Sequence, residues 1–305
     1  MKVFIDGSAG TTGLQIARRL ESHGGVELVT LPEALRKDLA ARADAINSAD
    51  VCFLCLPDAA AVEAVGLVNN DHTAVIDTST AHRTASGWVY GFAELPGQRA
   101  AIAESKRVAN PGCHASGFIA LIAPLVRNGL LPSDARLTCF SLTGYSGGGK
   151  KMIAEYEDEA RSILLDAPRQ YGLTQQHKHL KEMQAMCGLC KAPLFSPIVA
   201  DFYSGMEVTV PLFTDQLNGS LDDVKDCYRA AYAGGAVVYS DESEEGFLSA
   251  GSMSGKDSMR VSVFGNDERL ILVSRFDNLG KGASGAAIQN MNIICGFDEY
   301  TGLCL

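Results

Sequence analysis

The sequence predicts two domains of different class: an α/β domain built on a parallel sheet, and an α+β domain with a largely antiparallel or mixed sheet. In residues 2–77, short β-branched and aromatic runs alternate with helix-length segments, which is the pattern of parallel strands with helices on both faces. After residue 137, strand-like runs outnumber helices, and the helical segment 221–233 lies among them. That change of pattern indicates a second domain.

Composition narrows the class of protein. The chain has 305 residues and a formal net charge of -10, which argues against nucleic acid or an anionic membrane as partner because both favour basic patches. Lys2 and Asp6 interrupt the N-terminus and no membrane-length apolar run follows, so we expect a cytoplasmic protein. The nine cysteines are scattered, as reduced thiols are, and Cys187 and Cys190 form one C-x-x-C without a second ligand pair. We predict no metal site, and either helix-face thiols or a redox dithiol at that pair.

A glycine-rich turn, residues 7–13, follows the first predicted strand and precedes a helix-spaced apolar run that begins at Leu14. Its G-x-x-G-x-x-G pattern differs from the common G-x-G-x-x-G. In this position, however, glycines let the backbone approach a pyrophosphate, and the helix N-terminus supplies N–H groups that bind it. A plain strand-to-helix turn is the alternative, although it needs fewer glycines. The turn residues predicted to bind a dinucleotide are Gly7, Ser8, Gly10, Thr11, Thr12 and Gly13.

The residues after the second predicted strand, 26–31, favour NADP over NAD. An NAD site usually has an acidic residue at the end of this strand, where it bonds the ribose 2′-hydroxyl. Glu33 is near, but Arg36 and Lys37 offer two cations where a 2′-phosphate would lie. A solvated basic helix start is the alternative. We predict NADP as the cofactor, with these two cations at its 2′-phosphate.

Two further strand ends carry candidate residues, because ligands of a parallel sheet bind beyond the carboxyl ends of its strands. The strand 51–56 ends at Pro57, and the strand 73–77 is followed by Ser79 and Arg83. Pro57 and Ser79 are predicted cofactor contacts. Arg83 can hold a substrate carboxylate in a bidentate pair, or it can be a surface arginine.

The stretch Asn110-Pro111-Gly112-Cys113-His114 predicts a nucleophilic cysteine. Proline and glycine bend the backbone directly before Cys113, and an apolar helix-length run follows. At the first turn of a helix, free N–H groups and the helix dipole stabilise a thiolate and lower the thiol pKa. A buried, inert cysteine is the alternative.

The predicted strand 137–143 runs into a second glycine-rich loop, residues 144–150, before an acidic helix predicted over 152–163. Its glycines, hydroxyls and lysine suit an anion or the reacting end of the cofactor, and a flexible loop is the alternative. We predict cofactor contacts by Ser146, Gly147, Gly148 and, from the later loop 277–285, Asn278. The predicted substrate contacts are Tyr145, Lys150, Asn110 and Arg83.

His177 and His179 lie in the stretch 176–183, which opens another predicted helix. On a helix two such residues face different sides, whereas in an extended segment they share a side. We assign proton transfer to His179, which lies nearer the predicted helix, and a substrate contact to His177. His114 is expected to point away from the nucleophile, because successive helical residues diverge.

These motifs, in this order along the whole chain, resemble the shorter bacterial type of the N-acetyl-gamma-glutamyl-phosphate reductase family, NADPH-dependent enzymes of arginine biosynthesis. The resemblance implies a Rossmann-like NADP-binding domain from residues 1–112 and 283–305. It also implies an inserted domain, residues 113–282, for catalysis, substrate binding and oligomerisation as a homodimer or homotetramer. Where the longer type has tyrosine-proline after the cysteine and proline-glutamate after the histidines, this chain has His114-Ala115 and Leu180-Lys181-Glu182.

The family chemistry implies that Cys113 displaces phosphate from an acyl phosphate and forms a thioester, which hydride then reduces to the aldehyde. The expected reaction converts N-acetyl-L-glutamyl 5-phosphate to N-acetyl-L-glutamate 5-semialdehyde. Three alternatives stay open. Aspartate-semialdehyde dehydrogenase shares the fold and chemistry, and acetylaminoadipyl-phosphate reductase differs in substrate by one methylene, which a pocket discriminates weakly. A non-catalytic NADPH-binding regulator is the third.

Overall fold

The computed structural model describes all residues from Met1 to Leu305, and the chain divides into two compact units. The first unit comprises Met1–Gly112 and Ala283–Cys304, and the second comprises Cys113–Gly282 with Leu305. The chain therefore passes from the first unit to the second at the peptide bond that precedes Cys113. None of the helices combines the length and apolar character needed to cross a lipid bilayer.

Strands and helices alternate in the first part of the chain, and strands dominate the second. The strands are β1 Lys2–Asp6, β2 Glu27–Val29, β3 Val51–Leu54, β4 Ala74–Asp77, β5 Val89–Tyr90, β6 Arg107–Ala109, β7 Thr138–Gly144, β8 Arg169–Gln170, β9 Leu194–Ala200, β10 Met206–Phe213, β11 Val237–Tyr239, β12 Met259–Gly265 and β13 Arg269–Phe276. The α-helices are α1 Thr11–Glu21, α2 Leu39–Ser48, α3 Asp58–Gly66, α4 Gln98–Glu104, α5 Cys113–Arg127, α6 Gly149–Glu157, α7 Leu180–Cys187, α8 Leu221–Ala231 and α9 Gly285–Cys295.

The first unit is a six-stranded sheet in the order β2-β1-β3-β4-β6-β5, with every pair parallel. Alternate residues of a strand point to opposite faces, so Val3 and Ile5 lie in one core and Phe4 lies in the other. Helices α1, α4 and α9 cover the first core, and α2 and α3 cover the second. The last helix thus packs in the first unit although it follows the second in sequence.

The second unit is a seven-stranded mixed sheet in the order β11-β12-β13-β10-β7-β9-β8. Helix α5 lies on one face, where it packs against β10 and β13 and is flanked by α7 and α8. Gly117 lets the helix approach closely, since a Cβ there would lie 2.5 Å from Cγ2 of Val208. The predicted fold class, a parallel α/β sheet followed by an α+β domain with a mixed sheet, is confirmed.

Several element boundaries differ from the sequence prediction. The second strand is shorter, Glu27–Val29, and the helix predicted over 152–163 is Gly149–Glu157, so it begins inside the second glycine-rich loop. Gly149 permits this early start because its φ of +76° lies in the left-handed region that glycine adopts without strain. Helix α7 begins at Leu180, so both predicted histidines precede it.

Candidate active site

Cys113 is the first residue of α5, so the N–H groups of that turn have no partner within the helix. Its side chain is partly exposed, whereas Cys139 and Cys187 are buried and their burial raises the pKa of each thiol. Gly282 stands next to it, because a Cβ added there would lie 3.0 Å from Cβ of Cys113. The structure therefore places an accessible thiol where the helix dipole favours a thiolate.

Three histidine rings gather beside α5. The ring centroid of His114 lies 5.6 Å from that of His177 and 5.5 Å from that of His179, and the latter two are 4.8 Å apart. His177 and His179 thus share a side, as the extended alternative required. The ring of His114, which was expected to point away from the nucleophile, lies in one cluster with the rings of His177 and His179. Phe195 of β9 packs against the rings of His114 and His177.

The backbone orients the histidine pair. The N–H of His179 donates to Nδ1 of His177 at 3.2 Å, so a neutral His177 carries its proton on Nε2. Nε2 of His179 lies 3.9 Å from Oε1 of Glu182, and both side chains are buried. A carboxylate beside a histidine stabilises the imidazolium and holds the ring, as the orienting acid of a catalytic base does. The sequence analysis did not single out Glu182 as a site residue, although its i, i+3 spacing from His179 was the available signal.

His114 bridges two hydroxyl groups that the sequence analysis missed. Its Nδ1 lies 2.6 Å from Oγ of Ser141 on β7, and its Nε2 lies 2.6 Å from the hydroxyl of Tyr171. Burial raises the pKa of Tyr171, and a negative charge on Cys113 raises it further. No sequence signal marked these partners, since both are remote from His114 along the chain.

The second glycine-rich loop is held in place by hydrogen bonds from Asn278. Nδ2 of Asn278 donates to Oγ of Ser146 at 2.9 Å, and Oδ1 of Asn278 accepts from the N–H of Gly205 at 2.9 Å. Ser146 and Asn278, both predicted cofactor contacts, are buried and bonded to each other, while Gly147 and Gly148 are exposed. These hydrogen bonds fix the backbone conformation of the loop.

The predicted substrate contacts in this loop lie in different surroundings. The ring of Tyr145 stacks on that of Tyr156 with centroids 4.7 Å apart, and its hydroxyl donates to Glu157 at 3.5 Å. Lys150 is exposed near the start of α6. Of the two, Lys150 is therefore the more accessible to an anionic substrate.

In the first unit, a cavity of about 350 Å³ adjoins the ends of β1 and β2. Its lining includes Gly7, Ser8, Arg36 and Lys37, all predicted cofactor contacts, together with apolar side chains. The predicted contacts outside its lining are Gly10, Thr11, Thr12, Gly13, Pro57 and Ser79. Two predicted cations and a glycine turn thus share one cavity with apolar walls, as an adenosine site requires.

The turn beside this cavity fits a phosphate group. Gly7, with φ of +89°, and Gly13 must be glycines, because a Cβ would lie 2.3 Å from the carbonyl oxygen of Cys55 and 2.5 Å from that of Gly7, respectively. Helix α1 has no side-chain cap at Gly10, and Oγ1 of Thr11 is buried without a hydrogen-bond partner. Unsatisfied donors at a helix N-terminus bind anions. The residues present therefore fit a dinucleotide that carries a 2′-phosphate.

The remaining predicted contacts of the first unit bond to neighbouring groups. Ser79 donates through Oγ to Oδ2 of Asp77 at 2.8 Å, and Pro57 is the N-cap residue of α3. Nε of Arg83 donates to the carbonyl oxygen of Asn110 at 2.9 Å. Arg83 is buried, so the surface-arginine alternative is wrong.

Asn110 is likewise bonded within the first unit. Its Nδ2 donates to the carbonyl oxygen of Ala283 at 3.0 Å, and its Oδ1 accepts from Nδ2 of Asn290 at 3.1 Å. Together with the bond from Arg83, these contacts hold the backbone that leads into Pro111 and Gly112. The turn before the cysteine is thus rigid at its first-unit end.

Comparisons with known proteins agree over the whole chain. Residues 113–278 match the model of the semialdehyde dehydrogenase dimerisation domain, and residues 33–105 match that of the semialdehyde dehydrogenase NAD binding domain. The chain is 46% identical to N-acetyl-gamma-glutamyl-phosphate reductase 2 of Nostoc sp., with 99% of each chain covered. It is 47% identical to N-acetyl-gamma-glutamyl-phosphate reductase of Brucella ovis, with 97% of this chain and 99% of that one covered.

Solved structures of lower identity share the fold. Aspartate semialdehyde dehydrogenase II of Vibrio cholerae is 15% identical with a TM-score of 0.70, over 97% of this chain and 98% of that one. Aspartate semialdehyde dehydrogenase of Francisella tularensis is 16% identical with a TM-score of 0.70, over 97% of this chain and 100% of that one. At such identity the likeness concerns the fold alone.

Proposed function

Because the chain belongs to the N-acetyl-gamma-glutamyl-phosphate reductase family of semialdehyde dehydrogenases, we propose that it reduces N-acetyl-L-glutamyl 5-phosphate with NADPH. The products are N-acetyl-L-glutamate 5-semialdehyde and phosphate, and the pathway is arginine biosynthesis. The observation that carries the proposal is the partly exposed Cys113 at the start of α5, in the same unit as the buried His179–Glu182 pair.

The chemistry begins at Cys113. Its thiolate attacks the acyl carbon, the bond from that carbon to the phosphate oxygen breaks, and phosphate leaves with the electron pair, so a thioester forms. Backbone N–H groups at the start of α5 stabilise the oxyanion of the tetrahedral state. NADPH supplies the hydride that reduces the thioester. His179, oriented by Glu182, holds the proton that the reacting oxygen takes up and gives back as the aldehyde leaves and the thiolate returns.

The cofactor is held by the first unit. Arg36 and Lys37 bind the 2′-phosphate, and the first glycine-rich turn and the start of α1 bind the pyrophosphate. These contacts are predictions, as are the other cofactor contacts, Pro57, Ser79, Ser146, Gly147, Gly148 and Asn278, and the substrate contacts His177, Arg83, Asn110, Tyr145 and Lys150. The boundaries 1–112 with 283–305 for cofactor binding and 113–282 for catalysis are part of the same proposal.

The test is phosphate-dependent reduction of NADP, followed at the nicotinamide absorbance, with N-acetylglutamate semialdehyde as substrate. Aspartate semialdehyde and the acetylaminoadipate semialdehyde are run beside it. We expect the highest kcat/KM for N-acetylglutamate semialdehyde and no turnover by Cys113→Ser. A higher kcat/KM for either rival would assign the chain to that reaction, and no turnover with any of them would favour a non-catalytic role.

The face of the second sheet opposite α5 is the surface through which we expect the chain to oligomerise. Phe140, Pro211, Phe213 and Ile271 are exposed on the face opposite α5. The last three of them line a shallow cavity of about 570 Å³. A contiguous apolar face of this kind marks an interaction surface. We propose that a second copy of the chain covers it, because it lies in the part of the chain that matches a dimerisation domain. A homodimer results, or a homotetramer if a second surface is also used.

A further inference from the structure

A short turn, residues 277–282, lies in close contact with the side chain of Cys113. A Cβ added to Gly282 would lie 3.0 Å from Cβ of Cys113 and 3.1 Å from the carbonyl oxygen of Asp277. Carbon atoms in ordinary contact are about 3.5–4.0 Å apart, so no side chain fits between the turn and the nucleophile. The turn and Cys113 both belong to the second unit.

The carboxylate of Asp277 fixes the backbone of this turn. Asp277 is 3% exposed, and its Oδ1 accepts from the N–H of Leu279 at 2.7 Å and from that of Gly280 at 3.2 Å. Its carbonyl oxygen accepts from the N–H of Gly282 at 2.9 Å. The N–H groups of three turn residues are thus satisfied by Asp277 alone, and the last of them contacts Cys113.

The second carboxylate oxygen joins the turn to two other segments of the unit. Oδ2 of Asp277 accepts from Oγ of Ser204 at 3.0 Å and from the N–H of Gly255 at 2.5 Å. An ionised carboxylate can accept all four of these side-chain hydrogen bonds, whereas the amide of asparagine has a donor in place of one oxygen. Asparagine would therefore leave donors without an acceptor, and a buried unsatisfied donor is costly.

The next residue of the turn, Asn278, donates to Ser146 of the second glycine-rich loop. One short stretch of chain therefore contacts both that loop and the nucleophile. Resting on the proposed thioester chemistry, we propose that Asp277 is a positioning residue: its carboxylate makes the 277–282 turn a rigid support for the Cys113 side chain, and fixes the sulfur relative to the second glycine-rich loop.

A rigid support at this place acts on the position of the sulfur. The thiolate has to meet the acyl carbon in one orientation, and the thioester has to face the hydride donor. Misplacing a reacting atom by about 1 Å can lower a rate by about 100-fold. The start of α5 acts differently, because its dipole stabilises the charge of the thiolate wherever the turn lies.

The experiment determines whether the turn or the nucleophile moves when a methyl group is placed between them. In Gly282→Ala the methyl lies between Cys113 and the carbonyl oxygen of Asp277, so one of the two has to shift. With Asp277 in place the turn stays, and we expect the alkylation of Cys113 by iodoacetamide to slow by roughly tenfold. In an Asp277→Asn background the turn yields, and Gly282→Ala should slow alkylation by less than about threefold. The peptide that contains Cys113 is quantified by mass spectrometry.

Asp223→Asn provides the matched control background. Oδ2 of Asp223 also accepts from a backbone N–H and a serine hydroxyl, both of Ser220, but it does so at the exposed start of α8. Gly282→Ala should keep its full effect there. If Asp277→Asn fails to fold, Ser204→Ala replaces it, since it removes one of the four hydrogen bonds and should reduce the effect of Gly282→Ala in part.

Turnover gives a second measurement. With kcat expressed per reactive Cys113, Asp277→Asn should lower kcat by roughly tenfold and change KM little, because it misplaces the nucleophile without removing a substrate contact. A change in KM alone would overturn the proposal.

The alkylation result is decisive by itself. An effect of Gly282→Ala that is equal in the parent and in the Asp277→Asn background would overturn the proposal, as would its loss in the Asp223→Asn background or its absence from the parent. An undiminished effect in Ser204→Ala would do the same where that variant is used. Because alkylation needs neither acyl phosphate nor cofactor, failure of the proposed activity would leave this measurement intact.

Discussion

Replacing Arg36 and Lys37 together by alanine is expected to weaken NADPH binding and to leave NADH binding nearly unchanged. Both side chains line the cavity beside the first glycine-rich turn. The lining contains one carboxylate, Asp6, which Arg42 already pairs at 3.0 Å. The two cations are therefore the groups that distinguish a 2′-phosphate from a 2′-hydroxyl.

The size of the effect follows from their exposure. Both residues are exposed, so each contact with the phosphate is worth at most about 1 kcal/mol after solvent screening. Two such contacts give about 2 kcal/mol, which corresponds to roughly a 30-fold increase in the Kd for NADPH. Added salt is expected to reduce the difference between the parent and the variant, because it screens exposed charges.

The assay is titration of NADPH and NADH into each protein, followed by nicotinamide fluorescence. Lys2→Ala with Arg18→Ala is the matched control, because it removes the same charge from exposed positions of the first unit outside the cavity lining. An equal loss of affinity for both cofactors would refute the 2′-phosphate assignment, as would an equal loss in the control.

Further outcomes are expected from single changes. His179→Asn should lower kcat by roughly 10²–10⁴-fold, which is the usual cost of losing a general acid–base. His177→Asn should act mainly on KM. The reverse pattern in steady-state kinetics would mean that the two histidines have each other's roles. Gly282→Ala places a Cβ 3.0 Å from Cβ of Cys113 and should misplace the nucleophile. We expect kcat and the rate of Cys113 alkylation to fall together by roughly tenfold. Unchanged rates would contradict the contact. Phe213→Asp should dissociate the oligomer, as measured by light scattering, whereas Val62→Asp, which is also exposed but lies in the first unit, should not. An intact oligomer of Phe213→Asp would exclude this sheet face as the oligomer interface.

Local signals were sufficient for much of the fold. The alternation of strand and helix runs predicted a parallel sheet, since each run is defined by neighbours in sequence, and the family resemblance is confirmed. The turn glycines were recognisable because a missing Cβ is visible in sequence, although only Gly13 meets backbone atoms nearby in sequence, whereas Gly7 meets the backbone of Cys55. Cys113 was placed at a helix start by the proline and glycine directly before it.

The observed boundaries of helices differ from the predicted ones where local sequence signals conflict. A glycine-rich loop predicts irregular structure by propensity, yet α6 begins at Gly149, because a short turn, Tyr145–Gly148, carries the chain directly into the helix. The histidine pair precedes α7 instead of opening it, which the helical periodicity alone did not distinguish.

The partners of the histidines were decided by tertiary structure alone. Helical geometry predicts that His114 diverges from Cys113, but it does not say which other segments pack around that turn. Ser141 and Tyr171 are 27 and 57 residues away from His114 in sequence, and the fold brings them to opposite nitrogens of one ring. Periodicity specifies which face of an element a residue occupies, whereas the group opposite that face depends on how distant segments pack. The position of Cys113 at a helix start was therefore predictable from sequence, and the hydrogen-bond network around His114 was not.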